Sequence, residues 1–94
     1  GINDYTGAQD GSEEALWAGT SIYPNPSTGV FLLNDLNGIV RNISVYDVYG
    51  KLLREMTAGE ADGHIDLTAF ASGIYFLKLE STQTSKTCKI VIEK

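Results

Sequence analysis

From residue 20 onward the chain reads as short runs of alternating apolar and polar positions, separated by turn residues. Thr20-Ser21-Ile22-Tyr23 is a short strand that stops at Pro24. That placement predicts a sheet edge, where a missing backbone donor is tolerated. Val30-Phe31-Leu32-Leu33 is a compact apolar strand closed by Asn34, Asp35, Asn37 and Gly38. Within residues 39–47, Ile43 and Val45 share one face and Ser44 takes the other, the period of two expected of a half-buried strand. Val48-Tyr49-Gly50 turns the chain, residues 51–56 return as the hairpin partner, and residues 57–63 read as a loop. In residues 63–67, Ile65 and Leu67 point inward while His64 and Asp66 point outward. Residues 68–73 form a tight connection with room for one 3₁₀ turn. Beyond it, Tyr75, Leu77 and Leu79 face one way and Phe76, Lys78 and Glu80 the other. After a polar loop at 81–85, Cys88, Ile90 and Ile92 share a face of the last strand.

Seven short strands without a helix predict an all-β fold, a seven-stranded antiparallel immunoglobulin-like β-sandwich. Tyr75, at the start of the penultimate strand and just after a glycine-containing crossover, stands where such sandwiches place a tyrosine corner. One stretch breaks the alternation: Tyr23-Pro24-Asn25-Pro26-Ser27-Thr28-Gly29. Its prolines, the only two in the chain, restrict φ and remove two backbone donors. Each also pushes its predecessor toward extended geometry. Neither a helix nor a central strand can pass through, so this is a rigid corner where the folded domain begins. Ahead of it, residues 1–19 hold Asp4, Asp10, Glu13 and Glu14 and no base, the pattern of an acidic flexible linker. Ser12 with Glu13 and Glu14 could cap one helical turn through Ala15 and Leu16. Leu16 and Trp17 are expected to dock, if anywhere, on the domain surface.

A chain of 94 residues makes one domain, too small to build a deep internal active site. The net charge of −5 argues against nucleic acid and anionic membranes as partners. No apolar run reaches the length of a membrane span, and no signal peptide is present. The single cysteine, Cys88, cannot form an internal disulfide, and its place in an apolar face marks it as a small buried residue. The single histidine, His64, lies on a polar strand face beside Asp66. No nucleophile-elbow pattern surrounds Ser72, so a triad is not indicated. Asp47, Glu60, Asp62 and Asp66 read as turn residues rather than a glycosidase pair. Metal-ligand spacing is absent. The residues therefore predict neither catalysis nor a cofactor, but a small recognition or spacer module. Lys86, Lys89 and Lys94 make the last strand locally basic, as gatekeepers of a sheet edge or as a docking surface.

Three landmarks in order carry a family resemblance. They are YPNPSTG at 23–29, NISVYDVYGKLL at 42–53, and HIDLTAFASGIYFLKL at 64–79, followed by Lys89-Ile90-Val91-Ile92-Glu93-Lys94. Together they resemble the type A C-terminal sorting domain of the type IX (Por) secretion system of Bacteroidetes. Phe70 departs from the leucine more usual there. The resemblance implies a non-catalytic address that ends a precursor with an N-terminal cargo domain. Its implied partners are the outer-membrane secretion translocon and a sortase-like cysteine peptidase, which removes the domain as cargo is joined to surface lipopolysaccharide. The implied location is the periplasm in transit and then the cell surface, with scission expected within residues 1–20. The positions matching its motifs, or belonging to the basic strand, are Tyr23, Pro24, Asn25, Pro26, Gly29, Gly50, Gly73, Tyr75, Lys86, Lys89 and Lys94. Docking of the last strand by strand addition, or a strand-paired dimer, is a further expectation. Two rivals remain. A carbohydrate-binding sandwich needs a planar aromatic array, with Tyr46, Tyr49 and Phe76 as candidates. A fibronectin-like spacer would lie in mid-chain.

Overall fold

The computed structural model of the protein describes residues 16–94. The acidic stretch before them, with its proposed Ser12 cap, lies outside the described residues. In chain order the elements are β1 (Thr20–Tyr23), β2 (Val30–Asp35), β3 (Asn42–Tyr46), β4 (Leu52–Thr57), α1 (Ala58–Ala61), β5 (His64–Asp66), β6 (Gly73–Glu80) and β7 (Ser85–Ile92). The seven strands form two antiparallel sheets, β1-β2-β5 and β4-β3-β6-β7, as the alternation predicts.

The inward positions of both sheets make one core. Phe31 and Ile65 from the smaller sheet meet Ile43, Val45, Leu77, Leu79, Ile90 and Ile92 from the larger, with essentially no exposed surface on any of them. Burying each such side chain stabilises the fold by about 1.5–3 kcal/mol, and the sum offsets the entropy of ordering the chain. Trp17 also belongs to this core, at 5% exposure, rather than to the surface. A large indole at a chain entry gains more by filling the mouth of a small sandwich than by lying on it. The cost is an indole N–H with no hydrogen-bond partner among the described residues.

Three local expectations are corrected. Residues 34 and 35 continue β2, because Asn34 and Asp35 pair with Ser21 and Thr20. The Asp35 carboxylate then accepts from the backbone N–H of Ile39 and Val40, so the chain stays irregular until Asn42. The loop at 57–63 contains the one-turn helix α1. There Thr57 and Glu60 satisfy each other's backbone N–H in a capping box, and Asp62 closes the turn at φ 48°. The connection at 68–73 turns tightly as expected, with Phe70 N–H donating to the Leu67 carbonyl in the i to i+3 pattern of a single turn. Ser44 sits on the outer face as alternation requires, yet is buried, flanked across the sheet by the long side chains of Glu55 and Lys78.

Strand direction gives the sandwich two distinct ends. Leu16, residues 36–41 and the β6–β7 turn gather at one end, where Gly19 accepts from Leu36 N–H and Glu80 accepts from Arg41 N–H. The rest of the chain joins the domain there. β1, β3 and β7 all run from this end to the other.

Candidate functional site

The opposite end is built around the proline corner. Both the Tyr23–Pro24 and Asn25–Pro26 peptide bonds are cis. This path swings the chain off the smaller sheet and lays it against the free edge of β7. The Asn25 side chain donates to the Lys89 carbonyl (2.9 Å) and accepts from Val91 N–H (3.0 Å). Ser27 N–H donates to the Val91 carbonyl (3.0 Å), and the Ser27 carbonyl accepts from Glu93 N–H (2.8 Å). Residues 25–27 thus stand in for a neighbouring strand, with a primary amide doing the work of a peptide group. Ser27 is buried, and its hydroxyl donates to the Val30 carbonyl while accepting from Gly29 N–H.

Gly29 fits for two reasons. Its φ is +140°, and a Cβ there would lie 2.9 Å from Thr68 Cα, where the Gly29 carbonyl accepts from Leu67 N–H. Outside the corner, Pro24, Pro26, Thr28, Val30 and Glu93 line an open recess of about 350 Å³.

Three further segments reach this end. At the β3–β4 hairpin tip, the Asp47 carboxylate accepts from the N–H of Tyr49 and Lys51, and Gly50 takes φ +85° with open space around it. That arrangement leaves Val48 and Tyr49 standing in solvent at 55% and 92% exposure. At the β5–β6 connection, Tyr75 donates its hydroxyl to the Ala71 carbonyl (2.8 Å), the backbone bond of a tyrosine corner. Phe70 packs between the Tyr75 ring (5.5 Å) and the Arg54 guanidinium (5.1 Å). An aromatic ring at 70 thus gains a cation–π contact that leucine could not make. Lys94 ties the last residues down, donating from its backbone N–H to Ser72 Oγ and from its ammonium to the Thr68 carbonyl.

The structure therefore gathers Tyr23, Pro24, Asn25, Pro26, Gly29, Gly50, Gly73, Tyr75 and Lys94 at one end, from segments as far apart in the chain as Tyr23 and Lys94. It separates the lysines. Lys86 lies at the opposite end, paired with Leu79 across the sheet, and Lys89 lies on the other face of β7, opposite Phe76. Ser27, Thr68 and Ser72, which hold the loops together, lie within the landmark stretches but are not among the site residues that the sequence indicates.

The model of one protein family, described as the secretion system C-terminal sorting domain, matches residues 21–93. The chain belongs to that family. This is the type IX sorting domain that the three landmarks resemble, and the match runs from the second residue of β1 past the end of β7. No curated protein matches the chain closely enough to count as a relative. Family membership makes this a sorting signal for export to the cell surface or beyond, in a family of non-catalytic domains.

Several titratable groups of this sorting domain are engaged by neighbouring backbone or partly buried. Asp66 accepts from the Thr68 hydroxyl (2.7 Å) and backbone N–H (3.0 Å), and these bonds, with nearby Arg54, hold its carboxyl below the usual range. His64 is exposed, with Nδ1 3.1 Å from the Asp62 carbonyl. Ser72 accepts from Lys94 rather than facing a base. Cys88 is half-buried, and that burial pushes its thiol up, opposed in part by Lys86. Among the described residues no three potential metal ligands cluster, and no helix is long and apolar enough to cross a membrane.

Proposed function

We propose that the outer-membrane translocon reads the end of the domain built by the corner, the hairpin tip and Lys94. The reading is supported by the convergence of the three sequence landmarks there, opposite the end where Leu16 and the preceding chain enter. Cargo attached through that linker then trails behind the surface presented to the machinery. Tyr23, Pro24, Asn25, Pro26, Gly50 and Lys94 are exposed at this end and available to be read. Gly29, Gly73 and Tyr75 hold it in shape. The precursor crosses the periplasm with its cargo N-terminal to this domain.

At the surface, a sortase-like cysteine peptidase removes the domain as the cargo is joined to lipopolysaccharide. Scission falls before Leu16, because the burial of Trp17 leaves the chain after it held against the core, and proteases need an accessible extended segment. The test fuses residues 1–94 behind a periplasmically targeted fluorescent protein in a host with this secretion system. Export of the fusion, with a mass-spectrometric cut among residues 1–15, is the expected result. Retention in the periplasm while native cargo leaves would refute the sorting reading. A cut after Trp17 would refute the assignment of the scission site.

A further inference from the structure

The outer face of the four-stranded sheet changes character along its length. On β3, Asn42 and Ser44 give way to Tyr46. On β6, Glu80 and Lys78 give way to Phe76 and Ile74; on β7, Thr87 and Lys89 give way to Val91. On β4, Glu55 gives way to Leu53 and Leu52 across a register slip that sets Leu52 opposite Tyr46. The polar half lies toward the linker and the apolar half toward the corner end. The register makes the apolar half continuous: Tyr46 stands opposite Phe76, and Ile74 opposite Val91. Ile74 and Leu52 are each 45% exposed. A solvated sheet face is normally polar along its whole length. Single exposed apolar side chains need no explanation, but three strands turning apolar at the level of Tyr46 and Phe76, with β7 following one step later at Val91, mark an interaction surface.

We propose that this half-face is a docking site for a protein surface of the secretion machinery that has an apolar centre and a carboxylate rim. The inference rests on the sorting reading above. Charge selects the occupant. Lys51, exposed and next in the chain to Leu52, and Lys89, opposite Phe76 on β7, border the patch, and the ion pair found on this face is Lys78 with Glu80 (3.7 Å), in the polar half. A second copy of the domain would set this cationic rim against itself. Leu16, the first described residue, lies at the far end of the domain from the patch. The aliphatic majority, with Tyr46 and Phe76 half-buried among their neighbours, suits a protein surface better than the flat aromatic platform a sugar needs.

The experiment uses the same fluorescent fusion with two variants. Leu52→Thr/Ile74→Thr removes apolar surface while keeping residues at home in strands. Lys51→Glu/Lys89→Glu reverses the rim. Each is expected to cut export at least tenfold while the urea midpoint of the purified domain stays near that of the unmodified chain. Lys51→Gln/Lys89→Gln should cut it less than the reversal. Export at the unmodified level from both folded variants would overturn the proposal, and if the threonine variant fails to fold, the charge pair decides alone. Dissociation of a dimer by Ile74→Thr with unchanged export would assign the face to a second copy and also overturn it. Failure of the unmodified fusion to leave the periplasm is a different result, since it refutes the sorting reading beneath.

Discussion

Asn25 provides the most discriminating test of how the corner end is held. Its side chain makes two hydrogen bonds to β7, one donated to the Lys89 carbonyl and one accepted from Val91 N–H. Asn25→Ala removes both. A net hydrogen bond contributes about 0.5–1.5 kcal/mol, and these are exposed, so the expected loss is about 1–2 kcal/mol. In a domain of this size that lowers Tm by roughly 5–15 °C. Asn25→Asp is the sharper variant because the shape is unchanged. One carboxyl oxygen still accepts from Val91 N–H, but the other now faces the Lys89 carbonyl, acceptor against acceptor.

Protonation repairs that clash, since a neutral carboxyl can donate to the Lys89 carbonyl. The folded state therefore favours the protonated form, and the introduced carboxyl has a folded pKa above its unfolded value of about 3.9. A raised folded pKa gives stability that is fully present below the unfolded pKa and lost as pH rises through the folded one. The Tm gap between Asn25→Asp and the unmodified chain should thus be small below about pH 4 and wide at neutrality. The gap for Asn25→Ala should stay constant. Thermal unfolding followed by circular dichroism over that range measures both. An alanine variant that unfolds with the unmodified chain, or an aspartate gap that does not close in acid, would show that the amide is not a strand surrogate.

Gly29→Ala should cost about 1–3 kcal/mol in urea unfolding, since its Cβ meets Thr68 Cα at an unfavourable φ. Gly50→Asn, with open space around it, should cost under about 1 kcal/mol. Trp17→Ala should cost about 3–5 kcal/mol by calorimetry or urea unfolding if the indole belongs to the core, and almost nothing if it lies in a free linker. Asp66 has a depressed folded pKa, so its stabilising contribution is present above the unfolded pKa and lost as pH falls through the folded one. Thr68→Val should raise that pKa in an NMR titration by removing the largest cause of the shift. The Cys88 thiol, pushed up by burial, should react with a thiol reagent more slowly at neutral pH than a free model thiol, and recover the free rate in denaturant.

The strand pattern was legible because a small sandwich buries one face of each strand, so Ile43, Val45, Leu77, Leu79, Ile90 and Ile92 announce themselves by period alone. What the period misses has a local cause each time. Thr57 and Glu60 spell a capping box, but a single turn of helix adds too few apolar positions to show a 3.6-residue repeat. Trp17 sits in an acidic, aperiodic stretch, and its burial depends on a gap that only the assembled sheets define. The corner was recognisable as a corner from Pro24 and Pro26, whereas its target, the edge of β7, depends on sheet order. The outer-face gradient was invisible for the same reason. Tyr46 and Phe76 are thirty residues apart in the chain, and only the β3–β6 register sets them opposite each other.

Sheet order also reshapes the expectation that the last strand docks by strand addition. Strand addition needs a row of free N–H and C=O groups along an edge. On β7 the outward groups of Lys89, Val91 and Glu93 are already engaged by Asn25 and Ser27. A partner strand would find only the start of β7 open, at the linker end and remote from the motifs, unless it displaced the corner and lost its bonds. Side chains carry no such conflict. Pro24 and Pro26, Val48 and Tyr49, and Ile74 and Val91 meet solvent around the same end while the backbone beneath them stays satisfied. The corner therefore works in two ways at once. It closes the corner half of the β7 edge against pairing, and there leaves recognition to the side chains of the end and the outer face.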